Sequence, residues 1–192
     1  MLSDPYRILL NLARMQAVTA HPSTAINTSL KALLVALTIG LVGVIGWNMR
    51  DTSVREGDRA PQFSVRTDQG AQITPTEFGG KVLVLNFWAT WYQPCVTETP
   101  SLSAFQRKFK NNGVVVLGIS IDKNEQKYKR FIQRFRVAFQ TYRDPGSSIS
   151  SEYGTFQYPE TYIIKNGRIV RKFVADQNWM SDDIAQYIQS LL

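Results

Sequence analysis

The residue with the clearest chemistry is Cys95, the only cysteine among 192 residues. It ends the segment FWATWYQPC, which follows an apolar, β-branched run and leads into a helical pattern that begins near Pro94. A Trp-Cys-x-x-Cys motif at such a strand-to-helix turn is typical of redox sites. Here Tyr92 stands where the first cysteine of that motif would be. The sequence therefore predicts a redox-type site that has only one of its two sulfur atoms.

The composition limits what other chemistry is available. One cysteine and one histidine, His21, exclude an internal disulfide and argue against a Cys/His metal cluster, so we predict no metal and no cofactor. The formal charge of +7 suits an acidic surface or partner, and we expect no nucleic acid partner. Part of the basic charge lies on a predicted amphipathic helix, residues 124–136. This basic run is either a docking surface for an anionic partner or, more commonly, a solvated helix face.

An uncharged apolar segment, residues 32–47, precedes the part of the chain that contains Cys95. As a helix its sixteen residues span about 24 Å, and Leu30 and Lys31 extend it toward the roughly 30 Å of a hydrocarbon core. Trp47 lies where an interfacial aromatic residue is expected. A buried core helix should show a polar stripe, and a signal peptide should end in an Ala-x-Ala-like site. The sequence shows neither, so it predicts an uncleaved single-pass membrane anchor.

We divide the chain into an N-terminal cytoplasmic segment (1–28), a transmembrane anchor (29–49), a linker (50–58) and an α/β domain (59–192). The first segment contains a short amphipathic pattern: Ile8, Leu9, Leu12 and Met15. Lys and Arg are almost equally frequent on the two sides of the anchor, so their distribution alone does not predict its orientation.

Strand and helix signals alternate through the last part of the chain. Strands are predicted near 62–66, 82–88, 114–121, 139–142, 161–164 and 168–174, and helices from Thr74, over 94–111, 124–136 and 148–153, and after Ser181. Asn166-Gly167 predicts a tight hairpin turn. Strands separated by helices, and closed by a hairpin and a final helix, predict a mixed α/β sheet flanked by helices.

Two separated motifs make the chain similar to a known family. The first is WATWxxPCxxExP, from Trp88 to Pro100, and the second is YPET, from Tyr158 to Thr161. In this order they resemble the membrane-anchored thioredoxin-like thiol–disulfide oxidoreductases of the TlpA/ResA type, over roughly residues 56–192. The resemblance implies a thioredoxin-like mixed sheet preceded by one transmembrane helix. It also implies a periplasmic domain on the inner membrane, a part in cell redox homeostasis and, for several members, in cytochrome c biogenesis.

The resemblance further implies catalytic roles. The family has its attacking cysteine at position 92, where the helix N-terminus stabilises a thiolate, and Tyr92 cannot replace it. Cys95 matches the second, resolving cysteine, which attacks the mixed disulfide and releases the product. Glu98, one turn later on the same helix face, matches the acidic residue that handles protons near the buried thiol. An ordinary helical glutamate is the alternative.

A substrate-binding surface is implied as well. Pro159 matches the family's cis-proline, beside which a substrate peptide pairs like a strand, and a cis X–Pro bond costs only about 0.5–1 kcal/mol. Trp91, Pro94 and Tyr158 are expected to belong to the same surface. Asn86 is expected at the place of the buried aspartate of general thioredoxins.

Three functions follow from these expectations. The first is a membrane-anchored thiol–disulfide oxidoreductase whose exchange chemistry is impaired because Tyr92 replaces the nucleophile; its partners are thiols and disulfides of extracytoplasmic proteins. The second is a redox-silent module that binds extended peptides, for which Tyr92 offers an amphipathic contact. The third, a one-cysteine peroxidase, requires Thr or Ser at position 92 and is the weakest.

Overall fold

The structure, a computed structural model, describes residues 23–48 and 53–192. They belong to two compact units, Met1–Arg50 and Asp51–Leu192. The amphipathic pattern predicted before residue 16 and the side chain of Trp47 lie outside the described residues.

The first unit contains helix α1 (Ser23–Asn48). Its stretch Asn27–Gly46 has a mean hydropathy of 2.1, and none of that stretch is buried. Within the described part of the chain it is the one helix long and apolar enough to cross a membrane. A core helix of a soluble protein would be covered by other elements, so this exposure argues against that alternative.

The described residues of the second unit, 53–192, form seven strands, four α-helices and a short 3-10 helix (Lys110–Asn112). The strands are β1 (Val65–Arg66), β2 (Gln72–Ile73), β3 (Val82–Trp88), β4 (Val114–Ser120), β5 (Gln140–Arg143), β6 (Glu160–Lys165) and β7 (Arg168–Val174). The helices are α2 (Gln93–Phe109), α3 (Glu125–Phe135), α4 (Ser148–Glu152) and α5 (Asp182–Ser190). Strands β3 to β7 form a mixed sheet in the order β5-β4-β3-β6-β7, and β1 and β2 form a separate pair.

The central strand β3 runs parallel to β4 and antiparallel to β6. All seven of its side chains are buried, as its nearly continuous apolar sequence predicts. On one face of the sheet, Val82 and Val84 pack against α2 and α5. On the other face, Leu83 and Leu85 pack against β1 and β2. Because side chains alternate along a strand, Asn86 lies on the face that α2 covers.

The predicted fold class is confirmed, and so is the hairpin at Asn166-Gly167, where both residues have positive φ (51° and 70°). Two local predictions are wrong. The strand predicted at 62–66 is only β1. No helix begins at Thr74, although its hydroxyl accepts a hydrogen bond from the Glu77 backbone N–H at 2.9 Å. The turn stops there because Gly79 has a φ of +73°, outside the helical region.

Candidate active site

The site is built at the junction between β3 and α2. Tyr92 is the N-cap residue of α2, with an extended backbone (φ −101°, ψ 116°) and no side-chain capping hydrogen bond. Pro94 is in the first turn, where a missing N–H costs no helical hydrogen bond. The local sequence therefore places position 92 at the helix start and Cys95 in the first turn, as predicted.

Cys95 is buried, with 1% of its surface exposed, and packs in a cluster with Trp88, Tyr128 and Phe131. Burial raises the pKa of its thiol to about 12, since water no longer stabilises the thiolate, and the negative charges of Glu98 and Asp122 raise it further. Hydrogen bonding by the Ala89 backbone acts in the opposite direction but is weaker than burial. The thiol is therefore protonated at neutral pH, and a thiolate is the form that attacks disulfides.

Glu98 lies on the same helix, 3% exposed, with hydrogen bonds to both carboxylate oxygens. Oε1 accepts from Trp179 Nε1 at 2.6 Å and from the Gln177 backbone N–H at 3.2 Å. Oε2 accepts from Asn86 Nδ2 at 3.1 Å, and Asn86 also donates to Thr161 Oγ1 at 2.8 Å. Three donors therefore enclose the Glu98 carboxylate, which is buried rather than solvated on the helix surface.

The pKa of Glu98 is raised to about 7, chiefly because burial disfavours the charged form. The hydrogen bonds from Trp179, Gln177 and Asn86 lower it, so they offset only part of the burial effect. A carboxyl group with this pKa exchanges its proton near neutral pH, one helical turn from the Cys95 thiol.

The second motif meets the site from β6. The Tyr158–Pro159 peptide bond is cis, as expected. In the sheet register Phe87 pairs with Glu160, the first residue of β6. Pro159, which immediately precedes β6, therefore lies level with the end of β3 that leads into the site. Tyr158 packs against the cluster that contains Cys95. The structure therefore brings the two sequence motifs together at one end of the sheet.

The order of strands, the buried cysteine and the cis-proline loop together describe a thioredoxin-like site, and a comparison with family models agrees. Residues 56–173 match the model of the AhpC/TSA family. The chain belongs to the AhpC/TSA family.

Relatives of the chain are named as thiol–disulfide oxidoreductases or as a thioredoxin-like protein. The chain is 26% identical to ResA of Bacillus thuringiensis over 165 residues, which cover 84% of this chain and 94% of that protein. It is 32% identical to the thioredoxin-like protein YneN of Bacillus subtilis over 143 residues, covering 70% and 84%. Homology to ResA-type proteins is thus shown over most of the chain.

Solved structures show the same fold. A thiol:disulfide interchange protein DsbE assigned in Chlorobium tepidum superposes with a TM-score of 0.66 at 26% identity, over 72% of this chain and 99% of the other. StoA from Bacillus subtilis superposes with a TM-score of 0.58 at 20% identity, over 69% and 96%, which supports the fold alone.

In this AhpC/TSA chain a second buried carboxylate, Asp122, also lies at the site. It accepts hydrogen bonds from the Thr90 backbone N–H at 2.9 Å, the Thr90 hydroxyl at 2.6 Å and the Ser120 hydroxyl at 2.6 Å. These bonds tie the loop before α2 to the end of β4. Sequence reasoning missed Asp122, Trp179 and Gln177, because Asp122 is more than thirty residues from Thr90, and Trp179 and Gln177 are farther still from Glu98, so no local spacing marks them.

The outer surface of the site is aromatic. Trp91 is 67% exposed and Tyr92 is 36% exposed, and their ring centroids are 6.2 Å apart. Beside them is a groove of about 830 Å³ between the loop before α2 and helix α3. We call it the basic groove; its lining includes Trp91, Lys127, Arg130, Phe131, Arg134 and Phe135. By contrast Trp88 is a buried core residue, as expected.

Proposed function

We propose that this protein is a membrane-anchored, extracytoplasmic member of the ResA-type thiol–disulfide oxidoreductases in which Tyr92 occupies the position of the attacking cysteine. Its two-cysteine exchange is then severely impaired. One observation carries the proposal: the helix-start position is filled by a phenol, while Cys95, three residues later, is 1% exposed. This is the placement expected of a resolving cysteine without its partner.

The chemistry of exchange explains the impairment. In the two-cysteine reaction, the first thiolate attacks a substrate disulfide, forms a mixed disulfide and releases one substrate thiolate. The second thiolate then attacks the enzyme's sulfur in the mixed disulfide, which closes the internal disulfide and releases the other substrate thiolate. The Tyr92 hydroxyl cannot take the first step, and a mixed disulfide formed on Cys95 has no second thiol in this chain to resolve it.

The pKa of Cys95 adds a second obstacle. With a pKa of about 12, on the order of one thiol in 10⁵ is ionised at pH 7. Burial also prevents a large substrate from reaching the sulfur. The same facts disfavour a one-cysteine peroxidase, which needs an exposed, activated thiolate, and Tyr92 replaces the Thr or Ser of that motif.

The alternative function is a redox-silent module that binds extended peptides beside the Tyr158–Pro159 loop. The exposed rings of Trp91 and Tyr92 favour it, because large aromatic side chains supply contact area at low entropic cost. In both proposals Trp91, Pro94, Tyr158 and Pro159 form the binding surface. Cys95 and Glu98 have a chemical role only in the first.

We further propose that the anchor (29–49) spans the inner membrane, with 1–28 in the cytoplasm and, after a linker (50–58), the thioredoxin-like domain (59–192) in the periplasm. The length and apolar composition of α1 support the span. The ResA-type homology supports an extracytoplasmic partner that carries thiols, disulfides or an extended segment, and cytochrome c maturation is one such setting. Protease digestion of spheroplasts tests this: loss of the domain is expected, and a fully protected domain would contradict it.

Disulfide reduction by the detergent-solubilised protein tests the function. We compare the natural protein with Tyr92→Cys and with Tyr92→Ser, which removes the ring without adding sulfur, and use insulin disulfides with dithiothreitol as the assay. Strong activity in Tyr92→Cys alone is expected. High activity in the natural protein would contradict impairment. No activity in any variant would favour the peptide-binding alternative.

A further inference from the structure

The basic groove has a preformed aromatic floor. The rings of Phe131 and Phe135 are stacked, with centroids 4.3 Å apart, and Phe131 packs on the buried Trp88 at 5.1 Å. Phe131 is 7% exposed, so the floor is fixed by the core beneath it. Trp91 forms an exposed side of the groove. A fixed floor lowers the entropic cost of binding, and the volume of about 830 Å³ is within the usual range of ligand sites.

The rim of the groove is positively charged. Lys127, Arg130 and Arg134 line it, all three side chains are exposed, and no carboxylate is among the lining residues that the structure describes. Helix α3 has one acidic residue, Glu125, and it pairs with Lys129 at 2.5 Å and with Arg143 at 3.5 Å, away from the groove. Within the described parts of the chain, no ion pair neutralises the three rim cations. The positive charge is therefore available to a partner.

From this arrangement we propose that the basic groove binds an acidic segment of a partner protein, with one large apolar side chain of that segment on the aromatic floor. Charge complementarity selects carboxylates at the rim, and the stacked rings of the floor select a large apolar side chain. Thr90 and Trp91, which also line the groove, immediately precede Tyr92. A bound segment would therefore lie against the start of α2.

The groove proposal goes beyond the proposed exchange function, because its residues do not include Cys95. A binding measurement that requires no disulfide exchange therefore tests the groove proposal separately from the exchange function. The probe is a fluorescein-labelled peptide in which glutamates flank a central phenylalanine, and its binding to the full-length protein in nonionic detergent is followed by fluorescence anisotropy. We expect binding that weakens as salt is added.

Substitutions at the rim give the quantitative expectation. Arg130→Gln with Arg134→Gln should weaken binding about 2- to 30-fold, the range expected from losing two exposed charge pairs. The control, Arg107→Gln with Lys110→Gln, removes the same charge from exposed positions on α2 and just after it and should leave binding unchanged. Arg130→Glu with Arg134→Glu should bind the corresponding lysine peptide instead, which shows that the variant remains folded.

Three results would overturn the proposal. The first is equal binding of the glutamate peptide by the natural protein and by the rim variant. The second is equal binding of a peptide with glutamine in place of glutamate, or with serine in place of the central phenylalanine. The third is binding of the natural protein to phosphatidylglycerol vesicles but not to the peptide, which would assign the groove to an anionic lipid surface.

Discussion

Replacing Glu98 by glutamine tests the buried carboxyl group at the centre of the site. In the folded protein the pKa of Glu98 is about 7, against 4.5 for an unperturbed glutamate. Between these values the folded protein keeps a proton that the unfolded chain has lost. Stability therefore falls as pH rises from about 4.5 to 7 and is constant above that range. The shift corresponds to about 3 kcal/mol of unfolding free energy.

Glu98→Gln removes this ionisation while keeping the shape. The glutamine oxygen can still accept from Trp179 and Gln177, but its NH₂ group faces the Asn86 amide, a mismatch that costs about 1–3 kcal/mol at low pH. Above pH 7 the buried Glu98 of the natural protein is ionised, which lowers its unfolding free energy. The glutamine variant cannot ionise and loses nothing in this range. The variant should therefore be less stable at about pH 4 and close to, or above, the natural protein at about pH 8.

Urea unfolding of the unit Asp51–Leu192, which contains the whole sheet and its cores, measures this difference across the pH range. Glu152→Gln, at an exposed position on α4, is the control and should change stability by less than about 0.5 kcal/mol. If the curves of the natural protein and Glu98→Gln run parallel from pH 4 to pH 8, the buried carboxyl does not titrate as described and the reasoning fails.

Three further predictions concern the surrounding structure. Alkylation of Cys95 by iodoacetamide, followed by mass spectrometry, should be slow at pH 7 and still rising above pH 9, because the pKa of the thiol is about 12; a plateau by pH 9 would contradict this. Gly118→Ala should lose about 1–3 kcal/mol in thermal unfolding, because its Cβ would lie 2.7 Å from Phe139 Cε2, whereas Gly146→Ala meets no atom within 4 Å and should be nearly neutral. Trp179→Phe removes a hydrogen-bond donor from the buried Glu98 carboxylate, so the pH midpoint of the fall in stability should move to higher pH. An unchanged midpoint would show that Trp179 has no effect on the ionisation of Glu98.

Local patterns predicted the elements that carry the site. The apolar run of β3, the Pro94 start of α2 and the Asn166-Gly167 turn each depend on neighbours in sequence, and each is found within one or two residues of its predicted place. The helix expected from Thr74 shows the limit of such patterns. Its capping bond forms, yet the chain leaves the helical region at Gly79 before a second turn, and nucleation costs more than a single bond returns.

The environment of Glu98 was not predictable from spacing. Trp179 is 81 residues away along the chain and Gln177 is 79 residues away, and both reach the carboxylate from the loop after β7. Only the pairing of β6 with β3 and of β7 with β6 brings that loop over α2. A sequence motif can name the acidic residue, but its raised pKa depends on tertiary burial.

The residue at position 92 is better explained by the site than by helix stability. Ser, Thr, Asp or Asn at an N-cap stabilises a helix by about 1 kcal/mol, because the side chain accepts a hydrogen bond from a free backbone N–H. Tyr92 makes no such bond, and 36% of its surface is exposed beside Trp91. Its ring therefore contributes neither a helix cap nor a core contact comparable to that of the buried Trp88. What position 92 does offer is exposed aromatic surface beside Trp91, which lines the basic groove, and contact with another chain there would give the ring a role.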